Sequence, residues 1–146
     1  MSELVTVVLQ AGVEEAIGGH GVAAYPGECC GLLIGRVEEG RAVVVEAVRA
    51  RNVCEKGREP DRYVVEPRDV LAALKAAAAK GLDVVGVYHS HPDHPAAASK
   101  MDADLAQPLW AYVIVSVVKA RASELRAWTA GDPGTPMREL GVVSWG

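Results

Sequence analysis

Leu82-Asp83-Val84-Val85-Gly86-Val87-Tyr88-His89-Ser90-His91-Pro92 carries the densest structural signal in the chain. The run is apolar and rich in valine through Val87 and turns polar at its end, which reads as a buried strand over Leu82–His91. Pro92 has no backbone N–H to donate and closes the strand. Alternate strand residues leave the same face, so His89 and His91 project together, roughly 6.6 Å apart along the strand. At that spacing two imidazoles can converge on one ion at about 2.1 Å from each nitrogen. Two half-buried histidines with ordinary hydrogen-bond partners fit a lone His-x-His equally well.

Before this strand, Arg68–Lys80 is rich in alanine and leucine. Pro67 suits its first turn and Gly81 its stop, so a helix is expected. Farther upstream, Cys30–Val37 and Arg41–Ala50 flank Glu38-Glu39-Gly40 and predict a hairpin. Arg51–Pro60 reads as a polar loop and Arg62–Val65 as a short strand. Leu4–Leu9 reads as a strand, and Gln10–Ala24 has helical spacing interrupted by glycines, predicting a helix that ends near Gly18. Downstream, Ser99–Leu105 predicts a short helix. Tyr112–Val118 and Leu125–Thr129 read as strands joined by Lys119–Glu124, and Met137–Trp145 as a last strand. Strands outnumber helices, and most neighbours can pair as hairpins. The expected architecture is α/β in the broad sense (α+β), one domain over residues 1–146, with a mixed, largely antiparallel curved sheet flanked by helices.

A chain of 146 residues and 15.4 kDa, 50% hydrophobic and 23% charged, suits one packed globular domain. Phenylalanine is absent, so alanine, valine and leucine must fill the interior. A net charge of −4 without a Lys/Arg run argues against nucleic acid or an anionic membrane as partner. No apolar stretch reaches about 18 residues, so no bilayer span is expected. Met1-Ser2-Glu3-Leu4 lacks a basic region followed by an apolar one, so a cytoplasmic location is expected. Three cysteines make a disulfide framework unexpected.

Ser99-Lys100-Met101-Asp102 follows the histidine pair after a short Pro/Ala loop. A capping box explains Ser-x-x-Asp by itself. If Ser99 caps the helix, Asp102 sits one turn on, and both side chains can also face the strand end. Two imidazoles and a carboxylate are a mixed N/O set that zinc accepts in a tetrahedron, its fourth position left for water. Glu28, at the mouth of the apolar strand Cys30–Val37, is a candidate base for that water, although a solvated turn residue is the plainer reading. His94 is a weak candidate for a third imidazole, because Pro92 and Asp93 turn the chain away. Asp104 reads as a solvated acid and His20 as a surface residue. Cys29 and Cys30 read as buried thiols, Cys54 as an exposed one, and Trp110, Trp128 and Trp145 as cover for core or interface.

Glu28, then His89-Ser90-His91-Pro92, six residues, and Ser99-Lys100-Met101-Asp102 together resemble the signature of the JAMM (MPN+) metalloproteases. The flanking Pro26-Gly27-Glu28-Cys29-Cys30-Gly31-Leu32-Leu33-Ile34-Gly35 and Gly86-Val87-Tyr88 fit as well, while Ala98 stands where many relatives have proline. The resemblance implies a cytidine-deaminase-like MPN fold and one zinc ion per chain, held by His89, His91 and Asp102 with water as fourth ligand. It implies Glu28 as the base that deprotonates the water and Ser99 as hydrogen-bond donor to the oxyanion. The chain has no length for the insertions of deubiquitinating members, so it looks like the compact prokaryotic type. That type acts on small ubiquitin-like sulfur-carrier proteins ending in Gly-Gly, removing trailing residues or releasing a joined amino acid such as cysteine. A non-catalytic MPN-type scaffold is the alternative, and a cysteine nucleophile at Cys29 or Cys30 a third reading. The oligomeric state stays open, a homodimer included.

Overall fold

The computed structural model describes residues 3–54 and 63–145. Among these the chain runs β1 (Thr6–Leu9), α1 (Val13–Ala24), β2 (Cys30–Glu38), β3 (Arg41–Ala50), α2 (Pro67–Ala79), β4 (Asp83–Pro92), α3 (Lys100–Leu105), β5 (Ala111–Val118), β6 (Arg121–Thr129) and β7 (Arg138–Ser144). The expected mixed, curved sheet closes on itself as a barrel in the order β1-β3-β2-β4-β5-β6-β7. Pairings β2–β3, β2–β4, β5–β6 and β6–β7 are antiparallel. β4 and β5 are parallel, and β1 lies parallel to both β3 and β7. None of the described helices is long and apolar enough to cross a membrane.

Two cores lie on the two faces of the sheet. The larger draws on all seven strands and on Val13 and Ile17 of α1. The second packs Leu32 and Ile34 of β2, Val84 and Val87 of β4 and Tyr112 against Ala73 and Ala77 of α2. A bulge in β4 sets which face receives the histidines. Leu33 pairs with Gly86 but Ile34 with Val84, so Val85 is an extra residue in the ladder. Val85 and Tyr88 therefore enter the first core while Val84 and Val87 enter the second, and His89 follows onto the α2 face.

Several sequence expectations need correction. α1 does not stop near Gly18 but continues to Ala24. A β-carbon on Gly21 would sit 2.8 Å from Val117 Cγ2, so the glycine lets the helix lie close on β5 instead of ending it. β6 begins at Arg121, because Lys119 and Ala120 form a tight turn with φ of 49° and 64°. β1 starts at Thr6, and β7 spans Arg138–Ser144. The short strand expected over Arg62–Val65 reduces to a bridge between Asn52 and Val65. Residue 62 and most of the expected loop Arg51–Pro60 lie outside the described residues.

His20 is a further correction: it is half-buried, with Nδ1 2.6 Å from the Tyr88 hydroxyl and the rings edge-on. Tyr88 stands directly opposite Gly31, where a side chain would collide with its ring, so the ring lies over the glycine on its way to α1. Burial, with the Arg49 guanidinium in support, lowers the His20 pKa from 6.5 to about 4. The folded state thus holds this imidazole neutral, while the unfolded chain protonates it below its ordinary value. The stabilisation is complete above pH 6.5 and is lost as pH falls toward 4. After allowance for solvent screening it amounts to about 1–2 kcal/mol. Urea titrations of the metal-free protein at pH 7 and 4.5 should show this loss, and His20→Gln should remove that part of the pH dependence.

Candidate metal centre

Antiparallel pairing sets Cys30 opposite His89, and directly opposed residues share a face. Glu28 lies two residues before Cys30 and so comes to the same face, beside His91. The Ser90 N–H donates to the Cys29 carbonyl (3.2 Å) and the Cys29 N–H to Ser90 Oγ (2.8 Å), extending the pairing past the end of β2. Glu28 is buried, and its carbonyl accepts a hydrogen bond from Asn52 Nδ2 (3.0 Å). Donor atoms of Glu28, His89 and His91 all lie within 4.8 Å of one another.

The segment after Pro92 is tied to neighbouring elements by hydrogen bonds. Asp93 accepts hydrogen bonds from the Lys119 N–H (2.9 Å) and the Tyr25 hydroxyl (2.5 Å). Ser116 Oγ donates to the His94 carbonyl (2.6 Å), and Trp128 Nε1 to the Ala96 carbonyl (3.1 Å). These bonds fix the start of α3. There Ser99 Oγ accepts from the Asp102 N–H (3.0 Å) and Asp102 Oδ2 from the Ser99 N–H (2.8 Å), a reciprocal capping box. The same carboxylate faces both imidazoles, with Oδ1 3.4 Å from His89 Nε2 and Oδ2 3.6 Å from His91 Nε2. Capping and the approach to the histidines are therefore one arrangement: the cap aims the acid.

The two Nε2 atoms are 3.2 Å apart. Donors about 2.1 Å from a common ion at tetrahedral angles are separated by about 3.4 Å. The imidazole spacing is close to that value, and the ligand atoms of Glu28, His89 and His91 form the compact group, with Asp102 approaching the two imidazoles through different carboxylate oxygens. His91 Nδ1 donates to the Pro95 carbonyl (2.8 Å), which turns the lone pair of Nε2 toward the other donors. Burial opposes ionisation of Asp102, but its interactions with the two imidazoles outweigh it and hold the carboxyl below its usual range. Burial also dominates at His89 and lowers its pKa. At His91 burial is outweighed by the Asp102 carboxylate, and the pKa rises. Beside the donors lies a cavity of about 300 Å³, lined by Glu28, Tyr63, His91, Ser99 and Asp102, with Met101 and Leu105 as an apolar wall.

His94 reaches the cavity rim but not the donor cluster, and Asp104 is exposed and paired with Lys100 (3.1 Å). Burial pushes the Cys29 and Cys30 thiols up to about 11 and about 12, which leaves neither a nucleophilic thiolate at neutral pH. Cys54 is half-buried, not fully exposed. Trp110 and Trp128 pack on the second core, while Trp145 is exposed. Sequence reasoning missed Tyr63, whose ring stacks on His89, and Asn52, which holds the Glu28 backbone. Both come from the polar segment before α2, where no periodicity marks them.

The model of a protein family described as prokaryotic homologs of the JAB domain matches residues 10–131. The chain is 32% identical over 119 residues to a desampylase from Haloferax volcanii, covering 81% of this chain and 78% of that protein. It is 28% identical over 138 residues to a CysO-cysteine peptidase from Mycobacterium tuberculosis, covering 94% and 91%. A solution structure from Desulfitobacterium hafniense superposes with a TM-score of 0.81 at 26% identity, covering 95% of this chain and 92% of that one. A JAB1/MPN domain protein from Archaeoglobus fulgidus superposes at 0.55 with 19% identity, covering 95% and 99%, a likeness of fold.

Proposed function

Because the chain belongs to the prokaryotic homologs of the JAB domain, we propose that it is a zinc-dependent peptidase of ubiquitin-like sulfur-carrier proteins. The bond cut is the one after the carrier's C-terminal Gly-Gly, so that trailing residues or a joined amino acid such as cysteine are released. The observation that supports this reading is the gathering of Glu28, His89 and His91 donor atoms within 4.8 Å of one another, with the Asp102 carboxylate oxygens 3.4 and 3.6 Å from the two imidazole Nε2 atoms. His89, His91 and Asp102 would hold the ion, and a set of two imidazoles and one carboxylate suits zinc better than magnesium or calcium. Bound there, zinc supplies Lewis acidity, polarising the scissile carbonyl and lowering the pKa of water toward about 7.

The remaining steps belong to the protein. Glu28 takes a proton from the attacking water and returns it to the leaving amine. Ser99 already accepts the Asp102 N–H through its oxygen, and its hydroxyl hydrogen is donated to the oxyanion in the cavity. A glycine tail suits the site, since a chain without β-carbons can bring its carbonyl close to the donors. The names of the relatives, desampylase and CysO-cysteine peptidase, support the substrate class.

The test is zinc content on protein purified without an affinity-metal step, followed by cleavage of a ubiquitin-like carrier extended past its Gly-Gly. About one zinc per chain and chelator-sensitive cleavage are expected; absence of metal after reconstitution would overturn the reading. Ser99→Ala should lower kcat about 10²–10³-fold and cost about 1 kcal/mol of stability through the lost cap. Ser99→Thr, which keeps cap and hydroxyl, should retain most of both when kcat and urea midpoint are measured together.

A further inference from the structure

Resting on the zinc reading above, we infer that Tyr63 is a positioning residue: its ring holds, by stacking, the one ligand imidazole whose second ring nitrogen has no hydrogen-bond partner. A metal-binding histidine ordinarily donates its second ring N–H to an oxygen, which fixes both tautomer and ring orientation. His91 does so, to the Pro95 carbonyl. His89 does not. Its Nδ1 is buried without any hydrogen-bond partner, and no other side-chain nitrogen or oxygen among the described residues is in that state. On the Nδ1 side, the orientation of the His89 ring is therefore left to packing.

The surface that packs against it is Tyr63. The two ring centroids are 4.3 Å apart and the planes differ by 23°. Tyr63 is itself anchored through its described neighbours. Asn52 Oδ1 accepts from the Val64 N–H (2.9 Å) and the Cys54 N–H (3.0 Å), tying together the two limbs that lead to the ring. The Val53 N–H donates to the Val64 carbonyl (2.8 Å) and the Glu66 N–H to the Arg51 carbonyl (3.0 Å). Asn52 Nδ2 also holds the Glu28 carbonyl, so Tyr63 and Glu28 share one support. The arrangement favours the loaded site as well as the ring position. A ligand imidazole gives electron density to its ion, and an electron-poor ring is drawn more strongly to the face of a phenol. The stack needs the aromatic face and not the hydroxyl.

Zinc affinity measured by competition with a chromophoric chelator tests this on the wild type, Tyr63→Phe and Tyr63→Leu. Tyr63→Leu should bind zinc about tenfold more weakly or worse, in the range for lost outer-sphere support, while Tyr63→Phe stays within about twofold of wild type. The visible bands of the cobalt(II)-substituted protein should shift in Tyr63→Leu and not in Tyr63→Phe. Should Tyr63→Leu fail to fold, Tyr63→Met, similar in bulk but not flat, takes its place. Wild-type affinity and an unshifted cobalt spectrum in the non-aromatic variant would overturn the inference. So would a loss in Tyr63→Phe equal to that in Tyr63→Leu. A wild type that binds no zinc would overturn the zinc reading, and the role of the stack with it.

Discussion

Glu28→Gln is expected to keep its zinc and to lose cleavage by about 10³-fold or more, the upper range for a group that serves as both base and acid. The substitution preserves the side chain's shape and leaves untouched the bond from Asn52 to the Glu28 carbonyl. It removes only the ability to take and return a proton. The test has a second edge, because Glu28 lies within reach of both imidazoles and shares a donor cluster with them. If Glu28 were itself a ligand, the variant would lose metal along with activity. Metal content and single-turnover cleavage on the same preparation separate the two cases, and wild-type cleavage would remove Glu28 from the mechanism.

His89→Ala is expected to abolish both zinc binding and activity. A ligand that binds only the folded state at 100 to 1,000 times its Kd adds about 2.7–4 kcal/mol to apparent stability. Thermal unfolding of the wild type should therefore shift upward with zinc, while the variant shows no shift. Comparison against each protein in chelator is essential, since His89 is wholly buried and its truncation costs packing of its own. A zinc-dependent shift that survives in His89→Ala would place the ion elsewhere. Asp102→Ala should behave alike, with an added loss from the capping box.

The candidate site was more legible in the sequence than the register of the frame that carries it. His89, His91, Ser99 and Asp102 fall within one short segment, where strand alternation and a helix cap are local rules that spacing expresses directly. Glu28 could be picked out only by its place before an apolar run and by family pattern, because the register that sets Cys30 against His89 is a long-range property. The bulge at Val85 is invisible in an all-apolar run, yet it decides which face receives the histidines. Gly18, Gly19 and Gly21 are poor helix formers and point to an early end of α1, but close contact with β5 overrides that propensity. Tyr63 and Asn52 act through contacts that no periodicity encodes.

β1 sits between β3 and β7, parallel to both, so Thr6 pairs with Arg41 on one side and with Gly141 on the other. This topology orders assembly. The antiparallel β2–β3 hairpin needs only the turn at Glu39 and Gly40. β4 pairs with β2 from farther along the chain and brings His89 beside Cys30. β1 and β7 must find each other across nearly the whole chain, the pairing with the largest loop-closure entropy in the molecule. Until it forms, β1 and β7 each present an unpaired edge, a site for misassociation between nascent chains. The candidate site is thus built on pairings of shorter reach than β1–β7, and closure of the barrel waits on that most distant seam.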